Sequence, residues 1–402
     1  MRNQRGHAGM NAYYKEITAF IDSHKDEMLE KWKTLVNLEG KTDEKENVEK
    51  AQAWLQKEFE AEGFECYIRP SRPERAGVLV GILGKERPGA PVIFSGHIDT
   101  VHRTGSFCGP NPFKIVDGKA YGPGVLDMKG GIILALYVIK ALNHIGYKDH
   151  PIKIMFAGDE EMGHRGTDVG EFFEEESKGA LCAFNMETGH ITNALCVGRK
   201  TGCGITAVVH GLGGHSGNEF TKGHNAVHES VLKCAQLIPL TDLSVGTTVT
   251  VSVITSGGNT NKTTIPERSE FGVDIRYCSR ELGDAVLSKV EGILQKTFVP
   301  GTTTEYEISK SNLFPFQPNP QILRLLKLVN TVAEENGFPK FGQIQLGGAS
   351  DAGAIAAAGV PVLCSCGVIG EFNHNIHEYA VVDSMFSRAK IYAMTVTELD
   401  RL

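Results

Sequence analysis

A chain of 402 residues is too long for one compact core of ordinary size, so two domains are expected. Its 41% apolar and 22% charged residues describe an ordinary globular protein and exclude a disordered or fibrous one. A formal net charge of −7 leaves no basic stripe for nucleic acid, and no run approaches the roughly 18 consecutive apolar residues of a membrane span.

Met1 to Met10 is polar and lacks the apolar stretch of a secretion signal, so it reads as a tail or as a mis-assigned start before Met10. From Asn11 to Leu38 the pattern is helical, with Ile17, Phe20, Ile21, Met28, Leu29 and Trp32 at three- and four-residue steps. A second helix is expected from about Glu44 to Glu62. Strands then alternate with helices: Val78 to Leu83, Pro91 to Ser95, a helix over Gly131 to Leu142, then Ile152 to Ala157 and Leu181 to Asn185. This alternation predicts an α/β fold, a mainly parallel sheet with helices on both faces. Near Arg199 the rhythm changes. Strands at Cys203–His210, Thr247–Thr255, Phe271–Tyr277 and Thr303–Ile308, with helices at His224–Leu237 and Leu282–Phe298, follow the order βαββαβ. That order is ferredoxin-like, and it predicts a small domain over 200–311 inserted into a larger one formed by 1–199 and 312–402. The α/β pattern resumes with a helix over Gln321 to Asn336, a strand over Val362 to Ser365 and a closing helix from Asp383.

The nine cysteines are odd in number and lack framework spacing, so they are read as reduced and the cytoplasm as the location. Cys364 and Cys366 alternate along an apolar strand and read as core.

Five acid- or histidine-bearing segments each follow a predicted strand, expected to belong to one sheet: Ser95–Thr100, Gly122–Gly131, Gly158–Gly163, Asn185–Gly189 and Asn373–Tyr379. In open α/β sheets the carboxyl ends of strands are where ligands bind. A two-metal site needs imidazole and carboxylate donors plus one carboxylate able to bridge the ions. His97 and Asp99, two apart on extended chain, leave the same face, so one can ligate while the other orients it. Glu160 and Glu161, adjacent in extended chain, point apart, so one can hold metal while the other takes a proton. Two Zn²⁺ bring +4; two neutral histidines with Asp127, Glu161 and Glu187 bring −3, and the remaining +1 favours deprotonation of a nearby water. Alone, each motif is ordinarily a surface ion pair or a turn; the convergence of five is what points to a site.

These residues resemble a known family, the zinc exopeptidases and deacylases that include glutamate carboxypeptidase, acetylornithine deacetylase, succinyl-diaminopimelate desuccinylase and aminoacylase. The resemblance runs from about Ile17 to the end. The stretch His97–Val101, with Lys119–Gly124, looks most like the glutamate carboxypeptidase branch. It implies a zinc-exopeptidase-like fold whose inserted domain is a lid and dimerisation module, hence a homodimer. It implies two Zn²⁺, although the ligand set also tolerates Co²⁺ or Mn²⁺. His97 and Glu187 would hold one ion and Glu161 the other, with Asp127 as the bridge and His374 as the last ligand; His377 competes with His374 for that place. Asp99 would be the supporting aspartate and Glu160 the general base. His215, in Gly213–Gly217, would steady the oxyanion and Arg276 would bind a substrate carboxylate. Asn261 stands near the place where the family often has an asparagine and this chain has Thr263. Gly348, in Gly347–Asp351, matches a substrate-binding loop.

The implied reaction is hydrolysis of an amide bond beside a free carboxylate, in a peptide or small-molecule substrate, by a carboxypeptidase or N-acyl-amino-acid hydrolase. The alternative within the family is an acetylornithine- or succinyl-diaminopimelate-type deacylase. A metal-stabilised binding protein on the same fold would be expected to have lost Asp99 or Glu160, and both are present.

Overall fold

The computed structural model describes residues 7–402 except 108, 110, 259 and 260, with side chains from Tyr13 onward. The tail read over Met1–Met10 therefore lies outside the described residues in its first six positions, as does Cys108, while the next four open the helix His7–Ser23. The chain divides into two compact units. One comprises 1–198, 318–346 and 350–402, the other 199–317 and 347–349.

The larger unit is built on a six-stranded sheet in the order Glu65–Arg69, Val78–Leu83, Ile152–Ala157, Val92–His97, Cys182–Asn185, Val362–Leu363. The three pairings around Val92–His97 and Cys182–Asn185 are parallel; the first two strands add an antiparallel edge. Val92, Ile93 and Phe94 are wholly buried, the unbroken apolar run expected of a strand covered on both faces. Gly130–His144 packs with His7–Ser23, Lys25–Asn37 and Val382–Val396, while Lys45–Ala61 lies on the two edge strands. The helical stretch expected over Asn11–Leu38 is two helices. They break at His24, whose backbone is non-helical and whose Nδ1 lies 2.7 Å from the Phe20 carbonyl oxygen.

A second, antiparallel sheet in this unit orders Gly370–Glu371, Tyr379–Val381, Lys119–Tyr121 and Lys114–Val116. It corrects one expectation. Only His97, Glu160–Glu161 and Glu187 follow strands of the main sheet; the segment carrying Asp127 leaves Lys119–Tyr121, and His374 lies between Gly370–Glu371 and Tyr379–Val381.

In the smaller unit a four-stranded antiparallel sheet runs Thr248–Thr255, Arg268–Tyr277, Thr201–His210, Thr303–Lys310. Residues alternate along Arg268–Tyr277 between buried and partly exposed, and the buried face meets the helices Ala226–Leu237 and Arg280–Gln295 in one apolar core. Asn225 and Ser279 start those helices by accepting hydrogen bonds from the amides of His228 and Leu282. Inside this unit sits a buried ion pair: Glu229 and Lys233 lie 3.1 Å apart. Lys233 Nζ donates to the carbonyls of Ile293, Leu294 and Lys296, and Glu229 accepts from the amides of Phe298 and Val299.

The eight described cysteines are all free, six of them buried, and burial pushes the Cys366 thiol up to about 12. Among the described residues no helix is long and apolar enough to cross a membrane.

Candidate metal centre

His97 ends its strand with the imidazole almost wholly buried. Its Nδ1 lies 2.9 Å from the backbone oxygen of Asp99, which fixes Nδ1 as a donor and turns Nε2 toward a group of acids. Nε2 is 3.3 Å from Asp127 Oδ1, 3.6 Å from Glu187 Oε1 and 4.0 Å from Glu160 Oε2. On the other side of Asp127, His374 Nε2 is 3.4 Å from Asp127 Oδ2 and 3.0 Å from Glu161 Oε2. Two donor triads result, His97–Asp127–Glu187 and Asp127–Glu161–His374, with Asp127 common to both. His374 takes its place through a left-handed backbone, φ +63°, in an exposed loop; His377 joins neither group.

The residues fit metal ions. Asp127 Oδ1 and Glu161 Oε1 are buried without a hydrogen-bond partner, which is costly unless a cation takes their lone pairs. The donors are all imidazole nitrogen and carboxylate oxygen, as zinc accepts. The electrostatics agree. Burial and the Asp127 charge push Glu161 up to about 7. Hydrogen bonds from His374 to Asp127 and Glu161 hold its pKa up to about 11, so these two crowded acids are drawing in positive charge.

Glu160 and Glu161 do not lie on extended chain as expected; they occupy a 3₁₀ turn, Glu160–Met162, and still diverge, Glu160 toward His97 and Glu161 toward His374. Asp99 is what braces this turn. Fully buried, it accepts from the amides of Glu160 and Glu161 at 3.2 Å each and from Thr42 Oγ1 at 2.7 Å. Burial pushes the Glu160 carboxyl well above its usual range, with Glu187 and Glu161 adding to the rise and His97 opposing it.

Several supporting residues gave no local sequence signal. Glu378 is wholly buried and accepts from the amides of Leu126 and Asp127 at 2.7 and 2.9 Å and contacts His102 Nε2 at 2.9 Å. The Glu-Tyr pair marked its position but not this task. Asn373 Nδ2 donates to Asp127 Oδ2 at 3.0 Å. His164 lies between Asp159 and Asp351.

The remaining expected residues lie in the smaller unit. His215 Nδ1 accepts from the amides of Gly217 and Asn218, which puts its proton on Nε2 and leaves a donor on an exposed loop. That loop pairs with Thr264–Ile265, next to Asn261, whose side-chain oxygen caps Thr263. Arg276 is held by two hydrogen bonds of 2.9 Å to Asp274 and is partly exposed. The Gly348 carbonyl accepts from Arg199.

A family model described as peptidase family M20/M25/M40 matches residues 93–398. Among curated relatives, carboxypeptidase G2 of Pseudomonas sp. (strain RS-16) is 27% identical over 91% of this chain and 87% of its own. Succinyl-diaminopimelate desuccinylase of Gluconacetobacter diazotrophicus is 26% identical over 81% of this chain and 85% of its own. Among solved structures, an aminopeptidase PepT from Bacillus cereus superposes with a TM-score of 0.77 at 20% identity, covering 94% of this chain and 99% of that one. A metallo-carboxypeptidase from Sulfolobus solfataricus gives 0.76 at 16% identity, covering 94% and 100%.

Proposed function

Because the chain belongs to the peptidase family M20/M25/M40 and is a hydrolase of amide bonds, we propose that it uses two zinc ions to cut an amide beside a free carboxylate. The substrate is a peptide's C-terminal residue or an N-acyl amino acid. The observation that carries the reading is Asp127, flanked on both sides by a donor triad, with Glu160 beside it and outside both.

His97 and Glu187 would hold one ion, Glu161 and His374 the other, and Asp127 would touch both. Ions bound there would supply Lewis acidity, polarising the scissile carbonyl and lowering the pKa of a neighbouring water. Glu160 takes a proton from the attacking water as the new C–O bond forms, and returns it to the amine nitrogen as the C–N bond breaks. Asp99 keeps the base aimed by gripping the turn beneath it. His215 Nε2–H donates to the oxygen that becomes negative in the tetrahedral state, and the unused N–H groups of Arg276 grip the substrate carboxylate, a task suited to a planar guanidinium. Asn261 and Gly348 contribute further substrate contacts.

The smaller unit supports a homodimer. Its edge strand Thr248–Thr255 exposes Val253 and Ile254, and the helix Ala226–Leu237 exposes Val231 and Leu232. The eight described cysteines, all free, suit a cytoplasmic location.

The test is turnover of a panel: peptides and aromatic acyl amides ending in glutamate, against N-acetyl and N-succinyl amino acids. Activity should vanish on chelation and return with zinc. Cleavage of N-acetylornithine or N-succinyl-diaminopimelate alone would replace the carboxypeptidase reading with the deacylase one. A zinc-loaded protein that cleaves nothing in the panel would make it a binding protein.

A further inference from the structure

His164 is wholly buried, in left-handed backbone (φ +50°), a conformation that glycine adopts freely and a histidine does not. Its neighbours at Gly163 and Gly166 are glycines in the same region of conformational space, so a glycine at 164 would have been the easier residue. Something in the ring must offset the strain.

The ring is held at both ends by carboxylates. Nδ1 lies 2.6 Å from Asp159 Oδ1 and Nε2 lies 2.7 Å from Asp351 Oδ1. Carboxylates accept and do not donate, so both nitrogens carry protons and the ring is an imidazolium. Burial alone would lower its proton affinity; the charge of Asp351 and the bonds to Asp159 and Asp351 outweigh it and hold the pKa well above the ordinary value. Asp159 and Asp351 are themselves buried, at 2% and 1% exposure, and Asp351 Oδ2 has no hydrogen-bond partner, so without the ring Asp351 would lose its cation.

The two acids belong to segments far apart in sequence. Asp159 immediately precedes Glu160 and Glu161, and its backbone oxygen accepts from the His164 amide, closing the loop behind the 3₁₀ turn. Asp351 immediately precedes the helix Ala352–Ala357, just after Gly347–Ser350. The turn is therefore gripped from two directions: Asp99 takes the amides of Glu160 and Glu161, and His164 takes the side chain of Asp159.

We propose that His164 is a positioning residue, a buried cation that ties Asp159 to Asp351 and thereby fixes the turn presenting Glu160 and Glu161. It touches neither substrate nor reacting atoms. The inference rests on the roles given above to Glu160 as base and Glu161 as metal donor.

The experiment compares His164→Gln and His164→Phe with the double variant His164→Gln/Asp351→Asn, in the full-length zinc-loaded protein. Two readouts are taken on variants shown to be folded by circular dichroism: kcat and KM on the best panel substrate, and affinity for the second zinc by competition with a chromophoric chelator. His164→Gln should lower kcat by about 30-fold with KM within about threefold, and weaken the second zinc by about tenfold, the size expected for a residue acting behind the ligands. The double variant should recover at least about fivefold of kcat, because it removes a carboxylate left without its cation. A folded His164→Gln with parental kcat and zinc affinity overturns the inference, as does a double variant that is additively worse. Should His164→Phe not fold, His164→Gln, which keeps hydrogen-bonding groups, decides the matter. A parent protein with no amidase activity would sink the proposed function yet leave the zinc readout able to support or refute the positioning role.

Discussion

Both units bury ionised groups, and they treat them in opposite ways. In the smaller unit Glu229 and Lys233 satisfy each other, and their remaining capacity is taken up by three carbonyls and two amides of the backbone. In the larger unit Asp127, Glu160, Glu161 and Glu187 converge around two histidines, and two of their oxygens are buried with no partner. A closed network serves folding, because nothing further needs to arrive. An open one is a standing cost that only an added cation relieves, so it marks where a ligand belongs.

The largest break in this contrast should come from Glu160→Gln, which removes the proton carrier without touching either triad. We expect kcat to fall about 10³-fold, within the range for a general base, with zinc content by elemental analysis unchanged; parental turnover with full zinc would remove Glu160 from its role. Next comes Lys233→Met, which strands Glu229 in the core. A loss of about 3–5 kcal/mol in unfolding free energy is expected, read by urea denaturation, whereas a change under about 1 kcal/mol would place the pair with ordinary surface ones.

A smaller effect sharpens the same comparison. In the metal-free protein His374 is held up to about 11 by its bonds to Asp127 and Glu161, so it is protonated throughout neutral pH. A metal ion needs the neutral ring and must displace that proton. Zinc affinity at the His374 side should therefore rise with pH, about tenfold per unit for each proton released between roughly pH 6 and 8; a flat profile in chelator competition would contradict it. Smallest in energy is the change expected at the exposed edge strand. Val253→Lys with Ile254→Lys should shift the sedimentation coefficient from dimer to monomer while leaving the thermal midpoint within about 4 °C, since surface substitutions seldom exceed ~0.5 kcal/mol. A parent already monomeric at micromolar concentration would end the dimer proposal.

Much of the architecture was legible where patterns are long. Val78–Leu83 and Ile152–Ala157 lie where their apolar runs put them, and the βαββαβ order emerges from strands of eight to ten residues with clear alternation. The small antiparallel sheet was not legible, because strands of two or three residues are too short to show a period. That is why the loops of Asp127 and His374 were credited to the wrong sheet. Spacing likewise left His374 and His377 as competitors; only the folded loop shows that the His374 ring is the one beside Asp127 and Glu161. The supporting pairs were out of reach for another reason. His102 and Glu378 are 276 positions apart, and His164 and Asp351 are 187 apart, so only the folded chain brings them together.

The thiols have one more consequence. None of the eight described cysteines belongs to either donor triad, and six are sealed in the interior. Donors that are all nitrogen and oxygen offer no thiolate for peroxide to attack, so oxidants should not eject ions bound there in the way they strip thiolate-bound zinc. Purification can then dispense with dithiols, reagents that would themselves compete for the metal.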